Sequence, residues 1–400
     1  VTPMDRLENP VRDYAWGSAE DIPEFLGIPA DGSPVAELWI GAHPDSPSRL
    51  VRNGATLSLA EVIGAQPVAE LGPEVTTSFG ERLPYLLKVI AAARPLSLQV
   101  HPTKEHAEQA YVRQQQTPGA PRDYTDDNHK PELICALRDG FIGLAGFRPV
   151  AETRELLAEL DVADLAGIAS QLDRDDEAGS LRSLVTGLLT ATADPAPLIT
   201  ATRAACERTA KAGGPWAAAC AAYAAVGAAY PADPGVLVAL LLNHVQLCAG
   251  EAVFVGAGVP HCYISGFGAE VMACSDNVLR AGLTSKRVNV PELLRVLDFH
   301  PGKPEVLRPA SQRDDLEPGT SYPVPVADFR LSRIELASEP ATLPSGTPQI
   351  LLSIAGTAHL RDGAGEELEL GRGQSAYVPA SDAGVTVAGQ GTLLRATAGA

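Results

Sequence analysis

The chain has 400 residues, 45% of them hydrophobic and 20% charged, the balance of a soluble globular protein too long for one ordinary core. A formal charge of −18 opposes a nucleic-acid or anionic-membrane partner, and the absence of any run of 18 apolar residues opposes a transmembrane helix. The six cysteines (135, 206, 220, 248, 262, 274) form no CxxC pair, so reduced thiols and a cytoplasmic location are expected, and the charged opening VTPMDRLENPVRDYAWGS lacks the apolar core of a signal peptide.

Taken in order, residues 14–18 (YAWGS) and 36–44 (AELWIGAHP) read as short strands ended by Gly or Pro, with Trp16 and Trp39 as core anchors. Residues 59–71 look helical. Residues 83–93 (LPYLLKVIAAA) form a near-continuous apolar run with Lys88 inside it, and an ammonium there is costly unless paired or functional. In the strand over residues 96–102, alternation puts Ser97, Gln99 and His101 on one side and Leu98 and Val100 on the other, and Pro102 keeps His101 extended. Residues 103–120 read as an amphipathic helix and a loop. Glu132, fixed by Pro131, opens the next apolar strand with Lys130 two residues before it, and residues 140–149 close this part of the chain with another strand.

From residue 150 to about 246 alanine dominates and leucines recur at helical spacing, interrupted by Pro195, Pro197, Pro215, Pro231 and Pro234, which predicts five or six helices with no ligand cluster. Strand patterning resumes in residues 250–286. There a strand breaks at Gly256 and Gly258 and presents His261, and a glycine turn at Gly266 and Gly268 leads to a second extended run carrying Glu270. A polar cluster, Ser275-Asp276-Asn277, and two cations, Arg280 and Lys286, follow. Residues 290–296 read as a short helix. The remainder is Pro-rich and then strand-like at 329–336, 349–361, 366–370, 375–379, 385–387 and 391–397, the spacing of a jelly roll or similar sandwich; it holds a lone His359 and is expected to be structural.

Gln99, His101, Glu132 and His261 together offer an amide oxygen, a carboxylate and two imidazoles. This mixed N/O set suits Zn²⁺, tolerates Mn²⁺, Fe²⁺ or Co²⁺, and includes no thiolate of the kind that marks a structural zinc site. Lys88, Lys130, Arg280 and Lys286 add cations for an anionic substrate, and Glu270 is a carboxylate left over for proton transfer.

The stretches YAWGS (14–18), AELWIGAHP (36–44), LPYLLKV (83–89), PLSLQVHP (95–102), NHKPEL (128–133), GFRP (146–149), GEAVFV…PHCY (250–263) and EVMACSDNVLRAGLTSK (270–286) occur in an order that resembles the type I mannose-6-phosphate isomerases (phosphomannose isomerases), zinc enzymes of the cupin superfamily. The resemblance implies a mainly β fold with an α-helical insertion: two cupin-type jelly-roll β-sandwiches plus an Ala-rich helical domain. Residues 1–149 with 246–300 would form the metal-binding unit, 150–245 the helical domain and 301–400 a cupin-like sandwich without metal. It implies one Zn²⁺ per chain on Gln99, His101, Glu132 and His261, a catalytic Arg280, and substrate contacts at Ser97, Lys88, Lys130 and Lys286. Cys262 departs from the family pattern, and strand alternation should turn it away from the metal.

The implied reaction interconverts mannose 6-phosphate and fructose 6-phosphate through a cis-enediol, with Glu270 as first candidate for the proton-shuttling base and Lys130 as the rival. The expected partner is a small sugar phosphate, with no nucleic acid, no membrane and a monomeric chain. The alternatives are a metal cupin acting on a different sugar, against which the cations count, and a non-catalytic sugar-phosphate-binding cupin.

Overall fold

The strand His261–Ala273 is the spine of the larger sheet. Its first part pairs antiparallel with Phe141–Phe147 and touches Leu98–Val100 at Gln99, while its last eight residues pair with Tyr85–Ala92 on one side and with Glu132–Ala136 on the other. A register shift between Tyr263 and Ser265 marks the bulge where it passes from one set of partners to the next. The structure, a computed structural model, describes residues 3–116, 119, 121–308 and 319–399. Among these residues eleven strands join this sheet and eight form a second one.

The expected turn at Gly266 and Gly268 is therefore not a turn. The chain runs straight through both glycines, which serve close approach instead. A Cβ at Gly266 would lie 2.7 Å from the Phe141 backbone, and one at Gly268 would lie 2.9 Å from the Ile134 side chain. Residues 14–18 likewise make only isolated bridges, Gly17 to Ala92 and Ser18 to Val35, rather than a strand. Gly17 lies so close to the Ala36 backbone that a Cβ would stand 2.6 Å from it.

Six helices, Val150–Leu160, Ala163–Gln171, Glu177–Thr190, Ala196–Ala212, Ala217–Ala229 and Gly235–Ala239, follow one another between the sheet strands Phe141–Phe147 and Leu242–Leu247. Their apolar faces share one core with Leu98, Val100, Cys262, Ile264 and Leu279. The helices thus back the strands whose opposite faces carry Gln99 and His261, the division that two-residue alternation requires.

The second sheet is built from the C-terminal strands, with Gln349–Arg361 paired along its length to Thr386–Thr397. The strand expected at residues 385–387 and that at 391–397 are one. The strand Asp5–Leu7 also joins this sheet, beside Ser375–Tyr377, although it precedes the strands of the larger sheet in sequence. The two sheets share a core in which Leu38, Tyr85 and Leu87 meet Ile350, Leu352, Tyr377 and Leu394. Tyrosine hydroxyls close the seam. Tyr85, fully buried, donates within reach of Pro348 O (3.0 Å) and Ala396 O (2.9 Å), Tyr377 reaches Glu70 O (3.0 Å), and Tyr322 reaches Gly250 O (2.7 Å).

Near the site the helix Val290–Val296 is stapled to its surroundings by Glu292. Its carboxylate receives His106 Nε2 and the Tyr124 hydroxyl, each at 2.7 Å, and Arg295 at 3.2 Å. Burial alone would raise its pKa, but the His106 and Tyr124 hydrogen bonds overcome that and hold it below the ordinary 4.5.

Two stability predictions follow from these contacts. Tyr85→Phe should cost about 1–1.5 kcal/mol in urea unfolding, the net worth of a buried hydroxyl's hydrogen bond, because two carbonyls at the sheet seam lose their donor. Glu292→Gln should cost about 1–2 kcal/mol at pH 7. Because the wild-type carboxyl is depressed in the fold, its contribution is present above 4.5 and fades as pH falls through the folded value, so urea midpoints of mutant and parent should converge in acid.

Candidate metal centre and active site

Three strands of the spine bring His101, Glu132 and His261 together. Glu132 opens the strand Glu132–Ala136, His261 opens His261–Ala273, and His101 follows Leu98–Val100. All three are buried, and their ligand atoms lie within 4.8 Å of one another. Glu132 Oε1 is 3.3 Å from His101 Nε2, and Oε2 is 3.4 Å from His261 Nε2.

The tautomers follow from the main chain. His101 Nδ1 donates to Asn277 O at 2.8 Å and His261 Nδ1 to Val259 O at 3.1 Å, so each ring turns a bare Nε2 toward the carboxylate. His101 Nε2 is buried and has no hydrogen-bond partner. A buried lone pair left unmatched is costly, and a cation satisfies it. Burial also pulls the His101 pKa down to about 4, so the ring is neutral at physiological pH, the state that binds metal. Burial works to raise the Glu132 pKa, but the Lys130 ammonium, 2.7 Å away, holds it well below the usual carboxylate range.

Gln99 stands opposite His261 in register and donates its amide to Ser97 Oγ at 3.2 Å, which leaves its oxygen as the available donor atom. The four-residue set thus fits a small divalent cation of the zinc type. Cys262 does not belong to it: its buried thiol donates to Leu96 O at 3.1 Å, and burial pushes its pKa up to about 12.

Beyond these groups lies a cavity of about 50 Å³ lined by Gln99, Lys130, Glu132, His261, Lys88, Glu270, Glu37 and Tyr263. Lys88 is buried, with Nζ 3.6 Å from Glu37 and 3.7 Å from Glu270 and 4.9 Å above the Trp39 ring. Burial lowers the Lys88 pKa, yet Glu37 and Glu270 outweigh it and hold the ammonium charged. Glu270 accepts the Tyr263 hydroxyl at 2.8 Å. Burial first, and then the Glu132 charge, raise its pKa to about 7 against the pull of Lys88 and Lys130, so it exchanges a proton near neutrality.

A wider cleft of about 1300 Å³ shares Lys88, Gln99 and Glu37 with this cavity and is lined further by Ser97, Arg280 and Lys286. Arg280 is half-buried and Lys286 exposed; among the described residues neither has an ion-pair partner, so both charges are free for an anion. Sequence pattern did not mark Glu37 or Tyr263, and it marked Trp39 only as a core anchor. Trp39 is buried as expected, but its indole N–H donates to Glu37 at 2.5 Å. Trp16, expected in the core, stacks on Tyr14 and lines the cleft. A carboxylate in the apolar strand Glu37–Ile40 was the signal that could have found Glu37, the same anomaly that drew attention to Lys88. A second group, His43, Asp45 and Asp276, lies beside the cleft, with His43 Nε2 already 3.2 Å from Asp276.

The chain is similar to known proteins over nearly its whole length. Residues 4–150 match the family model described as phosphomannose isomerase type I, catalytic domain, and residues 319–398 match mannose-6-phosphate isomerase, cupin domain. The chain is 39% identical to a mannose-6-phosphate isomerase of Escherichia coli strain K12, over 98% of this chain and 99% of that one. It is 32% identical to a mannose-6-phosphate isomerase of Homo sapiens, over 87% and 86% respectively. Among solved structures it is similar to an arginine-to-alanine mutant of phosphomannose isomerase from Salmonella typhimurium, at 36% identity with a TM-score of 0.89 over 99% of this chain and 100% of that chain. A zinc-bound mannose 6-phosphate isomerase matches at 36% identity with a TM-score of 0.87 over 99% of each chain.

His101→Ala and Glu132→Ala should each weaken zinc binding by at least about 100-fold in competition with a chromophoric chelator, since each removes a donor from a four-residue set. Cys262→Ala should leave the affinity unchanged; a loss there would place the thiol among the ligands.

Proposed function

Because the chain belongs to the type I phosphomannose isomerase family, we propose that it interconverts mannose 6-phosphate and fructose 6-phosphate, using one zinc ion held by Gln99, His101, Glu132 and His261. The observation that carries this is the unpartnered, buried Nε2 of His101, aimed at Glu132 and His261 beside a cavity that Glu270 also lines. When bound, the ion supplies Lewis-acid stabilisation of charge on the sugar oxygens.

The chain's own groups supply the rest. In the open-chain aldose, the Glu270 carboxylate takes the proton from C2, leaving a cis-enediolate with its charge on the C1 oxygen. The proton of the C2 hydroxyl passes to the C1 oxygen by way of the cis-enediol, the proton held by Glu270 returns to C1, and the carbonyl then stands at C2. Glu270 suits this role because its pKa of about 7 leaves it able both to accept and to release a proton. Lys130, the rival base, holds its ammonium against Glu132 and serves better as a hydrogen-bond donor to a sugar oxygen. Arg280 and Lys286 anchor the phosphate or, in the case of Arg280, the enediolate charge, and Ser97 and Lys88 line the path between them. Residues 1–149 with 246–300 would form the metal-binding unit and 150–245 its helical support, except that Asp5–Leu7 pairs in the second sheet while Leu242–Leu247 and Val306–Leu307 pair in the larger one.

The test is isomerisation of fructose 6-phosphate by the purified protein as isolated, after chelation and after zinc is restored, with fructose in parallel. Activity should vanish with the metal, return with zinc and require the phosphate; inactivity with zinc fully bound would sink the assignment. Glu270→Gln should lower kcat by about 10²–10⁴-fold, the worth of a general base. The acid limb of wild-type kcat/KM should fall at or below pH 7, since a bound cation lowers the Glu270 pKa from that value, and it should be absent in the variant.

A further inference from the structure

Within the polar cluster Ser275-Asp276-Asn277, Asn277 is fully buried and every one of its polar groups is engaged. Its carbonyl accepts His101 Nδ1 at 2.8 Å. Its main-chain N–H donates to Ser275 Oγ at 3.1 Å. Its side-chain oxygen accepts the N–H groups of Thr125 (2.8 Å) and Asp126 (3.3 Å), and its amide donates to the carbonyls of Asp126 and Asn128, both at 2.8 Å, and to the Asp126 carboxylate at 3.1 Å. The Asp126 carboxylate returns the contact by accepting Ser275 Oγ at 2.8 Å and the Asp276 N–H at 2.9 Å. The segment clamped in this way, residues 125–128, runs directly into Lys130, whose ammonium sits 2.7 Å from Glu132.

We propose that Asn277 is a positioning residue that couples the two halves of the site: its carbonyl sets the tautomer and aim of the ligand His101, and its side-chain amide fixes the segment that delivers Lys130 to Glu132. The physical reason is continuity. The carbonyl and the amide belong to one residue, so a shift that breaks the clamp on 125–128 also moves the acceptor that holds His101. Outer partners of metal-binding imidazoles commonly set affinity in this way. The inference rests on the proposed reading of His101 as a metal ligand.

The experiment measures zinc affinity by chelator competition on the full-length zinc-free protein, together with kcat and KM for fructose 6-phosphate and thermal stability. Asn277→Asp keeps the shape and the acceptor but turns an oxygen toward the carbonyls of Asp126 and Asn128; Asn277→Ala removes both contacts. Each should weaken zinc binding about 10- to 100-fold and lower kcat. Tyr85→Phe, which removes only a hydroxyl that reaches the carbonyls of Pro348 and Ala396 across the sheet seam, should lower thermal stability and leave zinc affinity unchanged. Wild-type zinc affinity in both Asn277 variants, with only the melting temperature reduced, would overturn the proposal. If neither variant folds, Ser275→Ala and Asp126→Asn loosen the same clamp from its other side. A several-fold loss of zinc affinity in those two supports the coupling, and unchanged affinity overturns it. Zinc affinity is read without turnover, so a wild-type protein that binds zinc but fails to isomerise defeats the proposed function and leaves this test standing.

Discussion

A carboxylate buried away from bulk solvent governs this molecule. Glu132 is withdrawn from water, as are Lys130, Lys88, Glu270 and Glu37 around it. Buried charges of this kind survive only when their complements are held at fixed distances, because desolvation otherwise outweighs the attraction. The alternation of signs through the pocket meets that condition: Glu132 faces Lys130, and Lys88 sits between Glu37 and Glu270. The same arrangement leaves the members unequal. Glu132 is pinned in its charged form, while Glu270 is balanced near neutrality, so two carboxylates in one pocket have different chemistry.

Holding those distances falls to strands rather than loops. Glu132, Lys88 and Glu270 come from three adjacent strands, with Glu270 in register with both Lys88 and Ile134. The helices press on the reverse of Leu98, Val100 and Cys262. The second sheet presses on the reverse of Tyr85 and Leu87. Neither the helices nor the C-terminal sandwich lines the small cavity, yet both limit how far its walls can move.

Local pattern marked most of the proposed metal-ligand set. The two-residue alternation of Ser97, Gln99 and His101, the proline before Glu132 and the misfit of Lys88 in an apolar run each point to one face of one strand. Charges whose partners lie elsewhere in the chain were less visible. Glu37 looked like part of a core strand because the ammonium that explains it lies on a different strand, across the ladder from Trp39. Gly266 and Gly268 looked like a turn because a glycine needed for close packing against Phe141 and Ile134 has the same spelling as one needed for a bend. The helix over 290–296 was legible to the residue because capping and proline placement are local; the membership of the N-terminal strand was not, since pairing across the chain leaves no trace in a short window.

That N-terminal strand has a consequence for how the protein is made. Asp5 pairs with Tyr377, so a strand made early in synthesis waits for a neighbour made much later. At synthesis rates of about 5–20 residues per second, its ladder stays unformed for roughly 20–75 s while the intervening chain is built. During that interval the second sheet lacks the strands against which Tyr85 and its neighbours will close. The apolar reverse of the larger sheet stays uncovered over the same interval, because Ile350, Leu352 and Leu394, which cover it, are made after it.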